Sequence, residues 1–395
     1  MNKSTIGDID LKGKRCFVRV DFNVPFNDEQ EITDDSRMVG ALPTINHLIK
    51  DGAKVILASH MGRPKGERNP EYSLKLVLER LKALIGKDVI FVDDCIGEEV
   101  NATIASMKEG DVLLLENVRF YKEETANDEN FSKQLAESID VFVNDAFGAA
   151  HRAHASTAGI ARFVGVSVAG LLMEKEINYF NKAVANPERP LVGILGGAKA
   201  EGKIEVLNKL AEKLDKVIIS GGLAFTFMKA MGAEVGNSLV SNDLIDKAKE
   251  IITKMDKLNV EYFFPVDFVV AKEFKADAAT QLVSATAIPS DSMALDIGPE
   301  SSKLFADALQ DAKTIVWNGP MGAFEMEAFS KGTYNLVDAV TKTGALTIIG
   351  GGDSGVAVKN AGAVDKISYI STGGGAFLEL LEGKTLPGIE CLNEK

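Results

Sequence analysis

Short apolar, β-branched runs alternate with helix-patterned stretches along the whole chain, and this alternation restricts the fold more than any other feature of the sequence. Strands separated by helices imply βαβ units and parallel sheets. In the first half CFVRVDF (16–22), KVILAS (54–59), DVIFV (88–92), VLLLEN (112–117) and VFVND (141–145) read as strands. In the second half LVGIL (191–195), KVIIS (216–220), YFFPVDFVV (262–270), TIVWN (314–318), ALTIIG (345–350) and KISYIS (366–371) do the same. Between two of these, Ile204, Leu207, Leu210 and Leu214 recur at helical spacing. A chain of 395 residues is too long for one ordinary core. The helical pattern over 171–185, stopped by NPERP with Pro187 and Pro190, is the expected join between two domains.

The unusual clusters directly follow the strands. DFNVP, SHMGRP, ENVRF and NDAFGAAHR do so in the first half, and GGAK, GG, NGPMGAFE, GGGDS and TGGGA in the second. Open α/β sheets bind ligands beyond the carboxyl ends of their strands, so these clusters are the candidate site. A formal charge of −13 argues against a nucleic-acid or anionic-membrane surface, although local positive charge can still hold a small anion. Such charge is concentrated: all ten arginines and all four histidines lie at or before position 189, whereas Gly-rich runs dominate the later loops. The distribution suggests a guanidinium-rich anion site in the first half and backbone-amide phosphate loops in the second. No apolar run is long enough to span a membrane, and the start lacks the apolar core of a signal peptide, so a cytosolic protein is expected. Cys16, Cys95 and Cys391 are far apart and read as small hydrophobes rather than ligands or a disulfide framework.

Two near matches to nucleotide motifs need weighing. From Gly197 the chain reads G-A-K-A-E-G-K-I, which fits G-x-x-x-x-G-K-[ST] except that Ile204 replaces the hydroxyl that would hold magnesium. No acidic strand end follows in KVIISGG, so the segment reads as a phosphate-facing helix start and not a P-loop. Lys199 and Lys203 stand four apart, which puts both on one face near a helix N-terminus; the bland alternative is a solvated lysine pair. G350-G-G-D-S-G355 matches the dinucleotide fingerprint, but the acid that should grip the ribose is missing, which argues against a dehydrogenase. The embedded G-D-S-G has no histidine in its half of the chain, and a serine protease is rejected on that ground. Arg37, Arg63, Arg119 and Arg152 each lie in or beside strand-terminal or Gly/Pro-containing loops, with His60 placed to join them.

On VRVDFNVP (18–25), SHMGRPKG (59–66), LLLENVRF (113–120), VNDAFGAAHRAHAST (143–157), GGAKAEGKI (196–204), GPMGAFE (319–325), GGGDS (350–354) and STGGGA (371–376), the chain closely resembles the phosphoglycerate kinase family. The resemblance runs in order along essentially the whole chain. It implies an α/β fold of two Rossmann-like three-layer domains with parallel sheets: residues 1–170 for 3-phosphoglycerate, a hinge helix at 171–186, and 187–376 for the nucleotide, with the tail 377–395 returning to the first domain. It implies reversible phosphoryl transfer between 1,3-bisphosphoglycerate and magnesium ADP, in line and with domain closure, by a cytoplasmic monomer of glycolysis. Asp21, Phe22, Asn23, Arg37, His60, Met61, Gly62, Arg63, Arg119 and Arg152 would hold 3-phosphoglycerate. Lys203, Gly298, Glu325, Gly351, Gly352, Asp353 and Ser354 would hold ADP or ATP, with Asp353 on Mg2+. Arg37, Lys199, Gly350 and Gly373 would surround the phosphoryl group in flight. The chain departs from the family pattern at Ala200-Glu201-Gly202, and at Phe377, where a small residue is usual. A P-loop NTPase, a dehydrogenase and a non-enzymatic polyanion-binding protein are the rival readings.

Overall fold

The structure is a computed structural model that describes residues 1–198 and 200–395. Two compact units emerge, one of Met1–Asn178 with Thr385–Lys395 and the other of Tyr179–Lys384. The first boundary falls within the expected join at 171–186, and the tail belongs to the first unit from Thr385 rather than from 377. The helix Leu171–Phe180 and the π-helical turn Asn181–Ala185 that continues it hold one boundary inside them, and the helix Gly374–Leu381 stays wholly in the second unit.

In the first unit, β1 (Arg15–Arg19), β2 (Lys54–Ala58), β3 (Ile90–Val92), β4 (Val112–Leu115), β5 (Val141–Asn144) and β6 (Val166–Ala169) form one sheet in the order β3-β4-β2-β1-β5-β6. Every pairing is parallel. Helices cover such a sheet on both faces, which is why β4 and β5 are buried throughout and read as unbroken apolar runs. Strand β6 escaped the sequence reading because Ser167 interrupts a run of only four residues. Ser167 also anchors the returning tail: its N–H donates to Asn393 Oδ1 at 2.7 Å and its carbonyl accepts from Asn393 N at 2.8 Å.

The second unit begins with β7 (Leu191–Leu195), β8 (Lys216–Ile219) and β9 (Glu261–Phe263). It continues through β10 (Asp267–Ala271), β11 (Thr280–Ser284), β12 (Met293–Ile297), β13 (Thr314–Asn318), β14 (Leu346–Gly350) and β15 (Tyr369–Ile370). Six of these make a parallel sheet in the order β15-β14-β13-β7-β8-β9. The other three form a small antiparallel sheet, β11-β10-β12, which the sequence reading did not contain. The stretch YFFPVDFVV divides between the two sheets at Phe264–Val266, where Pro265 has no N–H to give to a ladder. Ile204, Leu207, Leu210 and Leu214 are all buried, and the helix that carries the first three is Glu201–Leu210.

Strand order reverses direction between β1 and β5 in the first sheet and between β7 and β13 in the second. Those are the crevices where an open α/β sheet accepts ligands, and each is flanked by the loops that the sequence singles out.

Candidate active site

In the first unit the site is a cluster of arginines around a buried histidine. The loop after β1 carries Asp21 and Asn23. Arg37, at the second position of the helix Ser36–Lys50, donates to Asp21 Oδ2 at 3.0 Å and to the Asn23 carbonyl at 3.1 Å. Asn23 Oδ1 accepts from Gly62 N at 2.8 Å, and the Gly62 carbonyl accepts from Arg119 at 2.9 Å. Gly62 has φ +58°, and a methyl there would overlap the Tyr72 ring, so only glycine serves. Loops from β1, β2 and β4 are thus tied into one rim.

Beneath the rim lies Arg19, which the sequence reading passed over as a strand residue. It is fully buried. Its guanidinium donates to Ser156 Oγ at 2.8 Å, to the Val20 carbonyl, and toward His60 Nδ1 at 3.1 Å. Ser156 passes the interaction on to Glu124, also fully buried, whose carboxylate accepts Ser156 N at 2.8 Å and Ser156 Oγ at 2.6 Å. Because arginine only donates, His60 Nδ1 must be the acceptor, which leaves any ring proton on Nε2. Burial first, then the charges of Arg19, Arg119, Arg37 and Arg152, hold the His60 pKa well below its ordinary value, so the ring is a neutral donor. Arg119 is lowered to about 10 by burial and by the neighbouring Arg19 and Arg152, and its buried Nε has no partner. Like charges gathered with an unsatisfied donor are unfavourable until an anion arrives. A carboxylate or phosphate is the complement of this site.

Not every expected residue joins through its side chain. Phe22 and Met61 are core residues, 0% and 3% exposed, so only their main chain can face a ligand. Arg63 is exposed and makes no hydrogen bond or ion pair with the described residues, and it is not among the arginines acting on His60. Arg152 is exposed, with Nε 3.2 Å from His151 Nε2.

The second unit holds a cavity of about 510 Å³ with apolar walls, including Phe225, Leu239, Phe268, Met293, Leu295 and Met321. Glu325 and Asp353 stand on its lining together with the glycines of three strand-terminal loops, Gly197, Gly221 and Gly222, and Gly322. An apolar cavity with a polar edge suits a nucleotide base and its sugar. At its inner end the loops after β7 and β13 touch: a methyl on Gly196 would overlap the Pro320 carbonyl, and one on Gly319 would overlap the Gly196 carbonyl. Lys203, in the first turn of the helix Glu201–Leu210, donates to the Gly196 carbonyl. Burial lowers its pKa to about 8, partly opposed by Asp353.

Gly351 has φ +99° and caps the helix Gly352–Asn360, whose first turn holds Asp353. Ser354 is buried and accepts Gly319 N at 2.7 Å through its hydroxyl oxygen. The Gly350 carbonyl accepts from Asn318 Nδ2 at 2.6 Å, and Gly373 caps the helix Gly374–Leu381. Gly298 is not among the described residues lining the cavity. It sits at the end of β12 against the Asp267 carboxylate, and Met293–Asp296, earlier on that strand, supply the wall instead. Lys199 lies outside the described residues. The sequence signal that could have found the wall is the alternation in MALDI, too short to stand out alone.

The fold and site define a protein of two doubly wound α/β units, one with a buried guanidinium cluster suited to a small anion and one with glycine turns around an apolar cavity suited to a nucleotide-like ligand. The phosphoglycerate kinase family model matches residues 6–384. Phosphoglycerate kinases of Geobacter metallireducens and of Clostridium botulinum (strain Alaska E43 / Type E3) are 57% and 54% identical. The alignments cover 97% and 100% of this chain and 96% and 99% of those proteins. The solved phosphoglycerate kinase of Coxiella burnetii superposes with a TM-score of 0.91 at 42% identity, and that of Pyrococcus horikoshii OT3 with 0.84 at 32%, each covering 98% of both chains. The chain belongs to the phosphoglycerate kinase family.

Proposed function

We infer that the chain catalyses reversible phosphoryl transfer from 1,3-bisphosphoglycerate to magnesium ADP, giving 3-phosphoglycerate and ATP. Family membership over residues 6–384 carries this reading, and the chemistry of the two units supports it. The acceptor in the reverse direction is a carboxylate of pKa ~4, already ionised at neutral pH, so no general base is required. What the reaction needs is fixed cations and amide dipoles that gather anions.

Asp21, Asn23, Arg37, His60, Arg119 and Arg152 hold 3-phosphoglycerate in this reading, with main-chain groups of Phe22, Met61 and Gly62 beside them. Arg63, now exposed, would swing in with the ligand. Lys203, Gly298, Glu325 and the Gly351–Ser354 turn hold the nucleotide, with Ala294 and Leu295 on the cavity wall beside them. Arg37, Lys199 and the amides near Gly350 and Gly373 attend the phosphoryl group. Magnesium enters as part of the nucleotide substrate. Asp353 fits that role because Mg2+ on a nucleotide needs only one or two carboxylates beside the phosphates, and Asp353 lines the cavity. Transfer is direct and in line, and it requires a closure that brings the two ligands together.

A coupled assay with 3-phosphoglycerate and magnesium ATP is the test. Turnover that depends on both substrates is expected. Hydrolysis of ATP without 3-phosphoglycerate, or no turnover at all, would reject the reading.

A further inference from the structure

Phe377 is among the largest fully buried side chains of the molecule. It lies on the helix Gly374–Leu381, one turn from the cap, and its N–H donates to the Gly373 carbonyl at 2.7 Å. Its ring covers the Cα face of Gly350. A methyl added to Gly350 would overlap the ring, and the three atoms nearest to that methyl all belong to Phe377. Gly350 itself is not in the left-handed region, so space rather than backbone conformation excludes a side chain there. The opposite side of the same turn is also held. Asn318 Nδ2 bonds the Gly350 carbonyl at 2.6 Å, Ser354 Oγ accepts Gly319 N at 2.7 Å, and a methyl on Gly374 would come within 2.9 Å of Gly351 Cα. The turn that starts one helix is therefore clamped between the β13 loop and the first turn of another.

We propose that Phe377 is a positioning residue for phosphoryl transfer: its ring presses on Gly350 and fixes the Gly351–Asp353 turn against the N-terminus of the helix Gly374–Leu381. This rests on the kinase reading above. Backbone N–H groups stabilise a transferring phosphoryl group only while their direction is set beforehand. A ring on the Cα face sets that direction without touching the ligand. Loosening the clamp should slow the chemical step more than it weakens ground-state nucleotide binding.

Phe377→Ala and Phe377→Leu, with Leu380→Ala in the same helix as a packing control, would be compared for kcat, for both KM values and for ADP binding by calorimetry. Phe377→Ala should lower kcat about 10-fold, with the KM for 3-phosphoglycerate and the ADP affinity within about twofold of the parent. Phe377→Leu should fall between them, and it decides the matter if the alanine variant does not fold. Leu380→Ala should melt at a lower temperature with kcat unchanged. Gly350→Ala should be severely impaired alone and should regain activity when combined with Phe377→Ala or Phe377→Leu, since the methyl then has room. Parental kcat in the Phe377 variants, or a Gly350→Ala defect that neither second change relieves, would overturn the proposal. An inactive parent chain would instead overturn the kinase reading.

Discussion

Arg19 ends strand β1 with no exposed surface, and its charge is balanced by Glu124 through Ser156 rather than by direct contact. Removing one side of a buried charge system strands the other, at a cost of about 3–5 kcal/mol. Arg19→Met is therefore expected to lose stability on that scale in urea unfolding, and to weaken 3-phosphoglycerate more than nucleotide because His60 loses its anchor. Asp296 poses the opposite problem. It is buried in β12, where desolvation raises its pKa to about 7, and its Oδ1 has no partner. The folded form thus keeps a proton that the unfolded chain has released, and the resulting stabilisation is complete below pH 3.8 and disappears as pH rises through 7. Asp296→Asn cannot ionise. It should gain on the parent as pH rises from 4 to 8, by on the order of 2–4 kcal/mol at the upper end, which equilibrium unfolding across that range would measure. A constant difference between the two proteins would show that ionisation of Asp296 is not the cause.

Among the elements, the helix Glu201–Leu210 combines a functional first turn with a weak start. Gly202 lies inside it, exposed, with open space where a Cβ would stand. Glycine in a helix interior costs about 0.5–1 kcal/mol relative to alanine. Gly202→Ala should recover that amount as a higher melting temperature. The three-residue β9 and the two-residue β15 close the edges of their sheet with little exposed ladder, while β11 is the exposed edge of the antiparallel sheet. That small sheet was not legible beforehand. TQLVS is largely solvent-facing and MALDI is one short alternation, so neither produced the apolar run by which the parallel strands were recognised. Yet β12 forms a wall of the apolar cavity through Met293–Asp296, which the sequence reading did not single out, while Gly298 follows at the strand's end.

At the scale of the molecule, the tail is part of the first unit although it follows the whole of the second. Leu386, Ile389 and Leu392 are buried, Asn144 Nδ2 donates to the Gly388 carbonyl at 2.8 Å, and Asn393 pairs with Ser167. Each buried apolar side chain contributes about 1.5–3 kcal/mol. A chain ending at Lys384 should therefore lose 3-phosphoglycerate binding and first-unit protection in hydrogen exchange while keeping nucleotide affinity. Equal losses in both units would contradict this division.

Periodicity was enough to determine two α/β units with parallel sheets, because buried parallel strands must be apolar throughout, and the strand-end clusters marked the loops at their carboxyl ends. Arg19 could not be assigned that way. A buried arginine is tolerable only with polar partners, and Ser156 and Glu124, both distant in sequence, reach Arg19 only once β1 and the residues after β4 and β5 are folded together. The same holds for the ring of Phe377 on Gly350, and for the wall built by β12. Local pattern records which face an element buries; which side chains then meet is settled by packing between elements, and no spacing along the chain encodes it.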